Sequence, residues 1–237
     1  MNIPDGRMVC PVCKERVLTR KGEQTMKART IRETEYTWEQ IEEILAAGKA
    51  RETFGEDGQI TVQVEGIGEA VLNILDYDKD KAANKDMHTM TLQFADLLFD
   101  EMPFNEGNCN KWEKSSIRSY MNSIAFKERF EEGFRRLLVP VLKENEDRKA
   151  TLDTFFLLSV EEMKDKEKKY QRFRSERDRV KVNPEQETEG HWTRSACRGN
   201  AYFTWNVYAS GNVNNGYTAV YSFRFAPACV IGAKAIK

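Results

Sequence analysis

The stretch Asn200-Ala-Tyr-Phe-Thr-Trp-Asn-Val-Tyr208, followed by Asn212-Val-Asn-Asn-Gly-Tyr-Thr-Ala-Val-Tyr-Ser-Phe223, differs in composition from the rest of the chain. Tyrosine, asparagine and small residues predominate in it. Rigid aromatic rings supply contact area at low entropic cost, and small polar side chains supply adaptable hydrogen bonds, as in antibody paratopes. The composition therefore predicts a binding surface.

Four residue types are missing from this part of the chain. Lys, Glu, Gln and Met make up 60 of the 237 residues, yet none occurs from position 190 to position 233. Strands are poor in lysine and glutamate, which explains part of the depletion. The four types also share a property of the genetic code, since none can be reached from an AAC or AAT codon by changing only its adenines. The region is therefore typical of a segment diversified by adenine-specific mutagenesis.

Charge is distributed unevenly along the chain. Residues 190–237 contain five basic residues and no acidic ones, whereas residues 1–189 contain 32 basic and 38 acidic residues. Because the net charge of the chain is −1, we do not expect nucleic-acid binding. No apolar run is long enough for membrane insertion. The first residues lack the apolar core of a secretory signal, so we expect synthesis in the cytoplasm.

Capping and hydrophobic spacing predict the elements before position 100. Thr37-Trp-Glu-Gln40 is a capping box for a helix that ends near Gly48. Residues 59–65 alternate between polar and apolar and predict a strand, with residues 70–75 as its hairpin partner. Residues 90–99 form a mostly apolar block that fits a strand or a short helix.

The middle of the chain predicts helices and then a charged stretch. Helical spacing covers residues 115–122 and 126–142. Residues 155–158 predict a buried strand, after which Ser159 can cap a short helix. In residues 164–189, which are highly charged, nothing in the pattern requires burial.

Five pieces of sequence carry a resemblance to a known family. They are Trp112-Glu-Lys-Ser-Ser-Ile-Arg-Ser-Tyr-Met-Asn122, Phe155-Phe-Leu-Leu-Ser-Val-Glu-Glu162, Trp192-Thr-Arg-Ser195, Gly211 and Arg224-Phe-Ala-Pro-Ala-Cys-Val-Ile231. In this order they resemble the variable proteins of diversity-generating retroelements, and an uncharacterised bacterial and phage domain family allied to them. The resemblance covers about residues 50–237 and leaves residues 1–49 outside.

The resemblance implies an α+β, C-type-lectin-like fold related to formylglycine-generating enzymes. Two main helices and small antiparallel sheets would form a domain over residues 50–237, with a variable segment at about 196–223 and residues 1–49 as a small N-terminal arm. The frame residues would be Trp192, Arg194, Ser195, Gly211, Arg224 and Pro227. The displayed, ligand-binding residues would be Asn200, Tyr202, Phe203, Asn206, Tyr208, Asn214, Asn215, Tyr217, Val220, Tyr221 and Phe223.

The function that follows from the resemblance is that of a display protein. Such proteins bind a protein or another surface ligand, and we expect a phage tail or surface component associated with the virion. A binding or structural protein of fixed specificity is an alternative.

Enzymatic functions have less support in the sequence. A formylglycine-generating-type enzyme would need a cysteine-bound copper, for which only Cys197 and Cys229 are available, at a spacing unlike that family's pair. Calcium-dependent sugar binding is not predicted, because Val207 follows Trp205-Asn206 where such sites carry an aspartate. Two histidines far apart in the sequence give no catalytic constellation. We therefore expect no enzymatic activity and no required cofactor.

Cys10 and Cys13 form a single C-x-x-C motif near the N-terminus. A zinc ribbon needs two such motifs, so the pair could bind zinc only with ligands from another chain or from a distant part of this one. A redox dithiol and an unmetallated pair are the alternatives. A shared zinc ion would make the N-terminal region a site of homo-oligomerisation or of larger assembly.

Overall fold

Strands outnumber helices in the computed structural model, which describes residues 28–29, 35–80, 82, 86–146 and 149–236. The strands are Ala28–Arg29 (β1), Glu35–Tyr36 (β2), Gln59–Val64 (β3), Gly68–Tyr77 (β4), Met87–Phe94 (β5), Met102–Pro103 (β6), Val141–Glu144 (β7), Ala150–Asp153 (β8), Phe155–Phe156 (β9), Lys181–Val182 (β10), Thr188–Glu189 (β11), His191–Ala196 (β12), Phe203–Val207 (β13), Val213–Thr218 (β14), Ser222–Phe223 (β15) and Ala228–Lys234 (β16). The helices are Trp38–Ala46 (α1), Ala50–Phe54 (α2), Ser116–Met121 (α3), Ile124–Glu128 (α4), Glu132–Leu137 (α5) and Val160–Lys164 (α6), with 3-10 turns at Trp112–Lys114 and Glu176–Arg179.

The central sheet has five antiparallel strands in the order β3-β4-β5-β16-β9. Its hairpin β3–β4 confirms the predicted alternation, and Gly66 and Gly68 take the positive φ angles that the turn requires. Strand β16 pairs along its whole length with β5, so the last strand of the chain lies near the middle of the sheet.

The capping box at Thr37 is confirmed. The Thr37 hydroxyl accepts from the Gln40 amide, and the Gln40 side chain accepts from the Thr37 amide. The helix that follows buries Trp38 against Phe134 of α5, with ring centroids 5.3 Å apart. Gly133 allows this contact, because a Cβ there would lie within 2.9 Å of the Trp38 side chain. Helix α1 therefore belongs to the same hydrophobic core as the central sheet.

The predicted C-type-lectin-like fold with two main helices is wrong. The longest described helix has nine residues, and the others have five or six. Small antiparallel sheets are present, but strands rather than two long helices make up the architecture.

The predicted helix over residues 126–142 is also wrong, and Pro140 explains much of the difference. Proline disfavours the helical region for the residue before it, here Val139, and the helix ends one residue earlier still, since the backbone is already extended at Leu138. The Val139 amide then donates to the Val230 carbonyl of the central sheet at 2.8 Å, and β7 begins at Val141. The apolar residues that suggested one helix face are divided among α4, α5 and β7.

The charged stretch over residues 164–189 is not wholly exposed. Tyr170 and Phe173 are buried in the core, and Arg179 and Lys181 are buried as well. The Lys181 ammonium donates to the Phe94 carbonyl at 2.6 Å, which the local charge pattern gave no means of predicting. This stretch therefore covers the end of β5 rather than forming a solvated linker.

Candidate functional site: an aromatic face on a hydrogen-bonded frame

The predicted variable segment, about residues 196–223, begins at the last residue of β12. It contains β13, β14 and β15 and the turns between them. Strands β12, β13 and β14 form an antiparallel sheet in that order, and β15 pairs separately with β6. The pairing shifts register on both sides of Trp205, between β12 and β13 and between β13 and β14. Such bulges re-aim side chains and are common beside functional sites.

The structure exposes four of the eleven predicted display residues. Tyr202, Val220 and Tyr221 are 56%, 47% and 48% exposed, and Asn200 is exposed too. The half-buried residues are Phe203, Tyr208, Asn214, Asn215, Tyr217 and Phe223. Asn206 differs from all of these, because it is fully buried.

Four of these side chains form one aromatic cluster. The Tyr217 ring lies 4.6 Å from Tyr221, 4.8 Å from Phe223 and 6.2 Å from Tyr208, measured between centroids. Phe223 also lies 4.9 Å from the buried Trp192. We call Tyr208, Tyr217, Tyr221 and Phe223 the aromatic face.

The tyrosine hydroxyls of this surface are not used by the fold. Within the described residues, no hydrogen bond joins the hydroxyl of Tyr202, Tyr208, Tyr217 or Tyr221 to another protein group. The surface asparagines bond mainly to nearby backbone, as when the Asn200 side chain accepts from the Tyr202 amide at 3.0 Å. A partner could therefore use these hydroxyls without displacing a bond of the protein.

Beneath the aromatic face, the predicted frame residues are tied to the rest of the molecule. The Trp192 indole donates to the Met102 carbonyl at 3.1 Å. The Ser195 hydroxyl accepts from the Val160 amide at 3.0 Å. Gly211 is required as a glycine, because its φ is +86° and a Cβ would lie 2.1 Å from the Glu176 carbonyl oxygen.

Arg194 forms the strongest link in this frame. Its guanidinium makes two hydrogen bonds to the Glu162 carboxylate, at 2.5 and 2.8 Å, and a third to the Leu157 carbonyl. Glu162 also caps α6 by accepting from the Ser159 amide, and it pairs with the buried Lys143 ammonium. Burial opposes ionisation of Glu162, but the two cations hold the pKa of its carboxyl well below the usual value. The motifs at 155–162 and 192–195 therefore form one charged, hydrogen-bonded unit.

The motif at 112–122 is joined to the same frame. The Trp112 indole donates to the buried Asp153 carboxylate at 2.8 Å, and the Arg118 guanidinium pairs with the same carboxylate at 2.6 Å. The Asn122 side chain accepts from the Phe155 amide and donates to the Phe155 carbonyl. The motifs at 112–122 and 192–195 thus both attach to residues 153–162, which include the third motif.

One important residue, Asn110, was missed by sequence reasoning. Its side-chain amide donates toward three carbonyl oxygens, of Cys197 at 3.2 Å, Asn200 at 2.8 Å and Phe203 at 2.8 Å. It thereby holds the turn between β12 and β13, including the exposed Asn200. No local signal marks this role, since the acceptors lie 87 to 93 residues along the chain.

The cysteines and histidines do not form a metal site in the described part of the chain, because no group of three or more His, Cys, Asp or Glu side chains there could hold a metal ion. Cys229 is buried, and burial raises the pKa of its thiol. Cys197 accepts from the Asn215 side chain at 3.0 Å. Burial, with a contribution from Lys181, lowers the pKa of His191 to about 3, so this imidazole is neutral at pH 7.

Two further predictions from the sequence concern the possible zinc site near the N-terminus and membrane insertion. Cys10 and Cys13, the residues of the possible zinc site, lie outside the described residues. For the described residues, no helix has the length and apolar character needed to cross a membrane.

The fold and the site together define a β-rich domain that carries a partly exposed aromatic cluster on a hydrogen-bonded frame. The chain belongs to the family described as a domain of unknown function, DUF6273, whose model matches residues 89–233. The matched region runs from β5 to β16 and contains the motifs of the frame and the whole aromatic face. Neither a curated protein nor a solved structure matches the chain.

Proposed function

We propose that the protein is a ligand-binding display protein whose aromatic face, with Tyr202 and Val220 beside it, contacts a protein or another surface ligand. The observation that carries the proposal is the clustering of four display candidates around Tyr217, with Tyr221 exposed and the tyrosine hydroxyls free of hydrogen bonds to described protein groups. Tyrosines of this kind supply both apolar contact area and hydrogen bonds to a partner.

We further propose that this surface is diversified by a retroelement, as in the variable proteins that the sequence resembles. The absence of Lys, Glu, Gln and Met from positions 190–233 supports this, since adenine-specific mutagenesis of AAC and AAT codons cannot generate them. The location of Tyr202, Val220 and Tyr221 at the surface supports it too, because exposed side chains can change without removing core contacts. A phage tail or surface component is the setting in which such diversification would serve receptor binding.

The test of this proposal is DNA sequencing of the region that encodes residues 190–233, with its flanking kilobases, in independent isolates. We expect substitutions confined to adenine positions of this segment and a nearby template repeat that encodes the unmutated version. The codons of Trp192, Arg194 and Arg224 should not vary. An invariant segment with no template repeat would overturn diversification and favour a binding surface of fixed specificity.

A further inference from the structure

Two polar side chains beneath the aromatic face have no hydrogen-bonding partner in the described protein. Asn206 is fully buried, and neither its Nδ2 nor its Oδ1 atom is hydrogen-bonded. Thr204, two residues earlier on β13, is also fully buried, and its Oγ1 atom has no partner. Buried polar groups without partners are costly and rare in folded proteins, so a pair of them needs an explanation.

The strand register shows where these atoms lie. Asn206 is directly opposite Trp192 on β12, and Thr204 is directly opposite Tyr217 on β14. Directly opposed residues of an antiparallel pair lie on the same face of the sheet. The Phe223 ring contacts both Trp192 and Tyr217, so it crosses above β13, which lies between them. Asn206 and Thr204 therefore form a polar floor under the aromatic face.

Asn110 provides a matched comparison within the same region. This asparagine is also buried, at 4% exposure, but its amide is used by three carbonyl oxygens. Where a buried asparagine has a structural role, as Asn110 has, the fold supplies hydrogen-bonding partners for its side chain. Because the Asn206 side chain has no hydrogen-bonding partner, we conclude that it has no structural role of this kind.

We infer that the aromatic face covers a binding site for a carboxamide group, with Asn206 as the residue that recognises it; the inference rests on the proposed function. An unpaired asparagine side chain offers adjacent donor and acceptor atoms, and the group that complements both at once is another amide. The Thr204 hydroxyl supplies one further donor or acceptor. The rings of Phe223 and Tyr217, each half-exposed, would move aside and then stack on the planar amide.

The charges around the site favour a neutral ligand. Arg224 pairs with Glu189, and Arg198 pairs with Glu146, at 3.5 and 2.9 Å. These two basic side chains are therefore occupied by acids, and Arg179, which donates to the Gly211 carbonyl of the segment, pairs with Glu176. The side chains of the floor, Asn206 and Thr204, are uncharged. A charged ligand would be desolvated there without a counter-charge, which is unfavourable. Carboxamides occur in Asn and Gln side chains and in acetamido sugars, so the experiment must separate these sources.

The experiment is NMR titration of the ¹⁵N-labelled full chain with acetamide, using acetate as the charged control of the same shape. The reporters are the Asn206 side-chain amide and the Trp192 indole N–H, and the Trp112 indole N–H is the remote control. We expect saturable shifts of the two reporters with acetamide and none with acetate. The tripeptide Gly-Gln-Gly against Gly-Glu-Gly, and N-acetylglucosamine against glucose, then distinguish a peptide from a sugar source.

Variants at position 206 complete the test. Asn206→Leu should weaken acetamide binding at least tenfold and raise the melting temperature, since it removes the unpaired amide. Asn206→Thr keeps a small polar side chain and should also lose binding, which covers the case in which the leucine variant fails to fold. Asn212→Leu, a change at an exposed asparagine of the same segment, should alter neither property.

Three results would overturn the inference: no saturable shift with acetamide, equal shifts with acetate, or binding that persists in both variants at position 206. Each of these results would leave the proposed display function standing, because that function is tested by the sequence variation among isolates. An invariant segment would in turn leave the amide site standing as a site of fixed specificity.

Discussion

The frame and the aromatic face use their polar groups in opposite ways. In the frame, Arg194, Glu162 and Asp153 make multiple hydrogen bonds to distant parts of the chain. On the face, the tyrosine hydroxyls bond to no described protein group, and Asn206 is buried without a partner. The difference teaches that the interactions that stabilise the fold and the groups available for recognition belong to separate residues.

The largest expected effect is that of breaking the ion pair in the frame. Arg194→Met leaves the Glu162 carboxylate buried without its bidentate partner, and we expect the free energy of unfolding to fall by about 3–5 kcal/mol. Urea denaturation followed by circular dichroism measures it. Arg198→Met is the matched control, because Arg198 pairs with Glu146 from an exposed position and should contribute at most about 1 kcal/mol. Equal effects of the two changes would contradict the assignment of Arg194 to the frame.

A second prediction concerns the pH dependence of stability that arises from the buried Lys181. Burial lowers the pKa of Lys181 to about 7, below its usual value of about 10.5 in the unfolded chain. Between these two pH values the unfolded chain binds more protons, so stability should rise with pH, by roughly 1 kcal/mol per unit from pH 7 to pH 9. Urea denaturation at several pH values measures the slope. Lys181→Met should flatten it, and an unchanged slope in that variant would mean that another group titrates.

A smaller effect is expected at the junction between frame and face. Asn110→Ala removes the amide that holds three carbonyls, and we expect a loss of about 1–2 kcal/mol. Amide hydrogen exchange should increase between residues 197 and 203 more than in the central sheet, because the turn loses its anchor. Asn212→Ala, at an exposed position, is the control. Uniform acceleration throughout the chain would show that Asn110 supports the whole core instead.

The smallest effects are expected at the exposed residues beside the aromatic face. Tyr202→Ser and Val220→Ser replace exposed side chains and should change the free energy of unfolding by no more than about 0.5 kcal/mol. Thermal denaturation of the two variants is sufficient to measure this. A loss above about 2 kcal/mol in either variant would remove the distinction between face and frame.

Local signals in the sequence predicted part of the fold. The capping box at Thr37, the helix cap at Ser159 and the hairpin β3–β4 depend on residues three to fourteen positions apart, and all are confirmed. The prediction of a long helix over residues 126–142 was wrong, because helical spacing alone does not show that the helix ends before Pro140. The prediction of a fold with two main helices was also wrong. That prediction came from the family resemblance and not from the spacing of the residues.

The candidate site was predictable in its composition but not in its geometry. Tyrosine and asparagine content indicated the surface that contains Tyr202 and Tyr221. It gave no means of separating these exposed residues from the buried Asn206, because that difference depends on strand register and on the ring of Phe223. Asn110 and Lys181 were missed for the same reason, as their partners are distant in sequence.

Two matched combinatorial libraries test the separation of face and frame most directly. One library randomises Asn200, Tyr202, Tyr208, Val220 and Tyr221 with adenine-substituted AAC codons, and the other randomises Asn110, Arg194, Ser195, Gly211 and Arg224 in the same way, so that each library can encode the native residue at every position. The measurement is the fraction of protease-resistant members in each library. We predict that most members of the face library stay folded and that few members of the frame library do. Equal folded fractions in the two libraries would contradict the account.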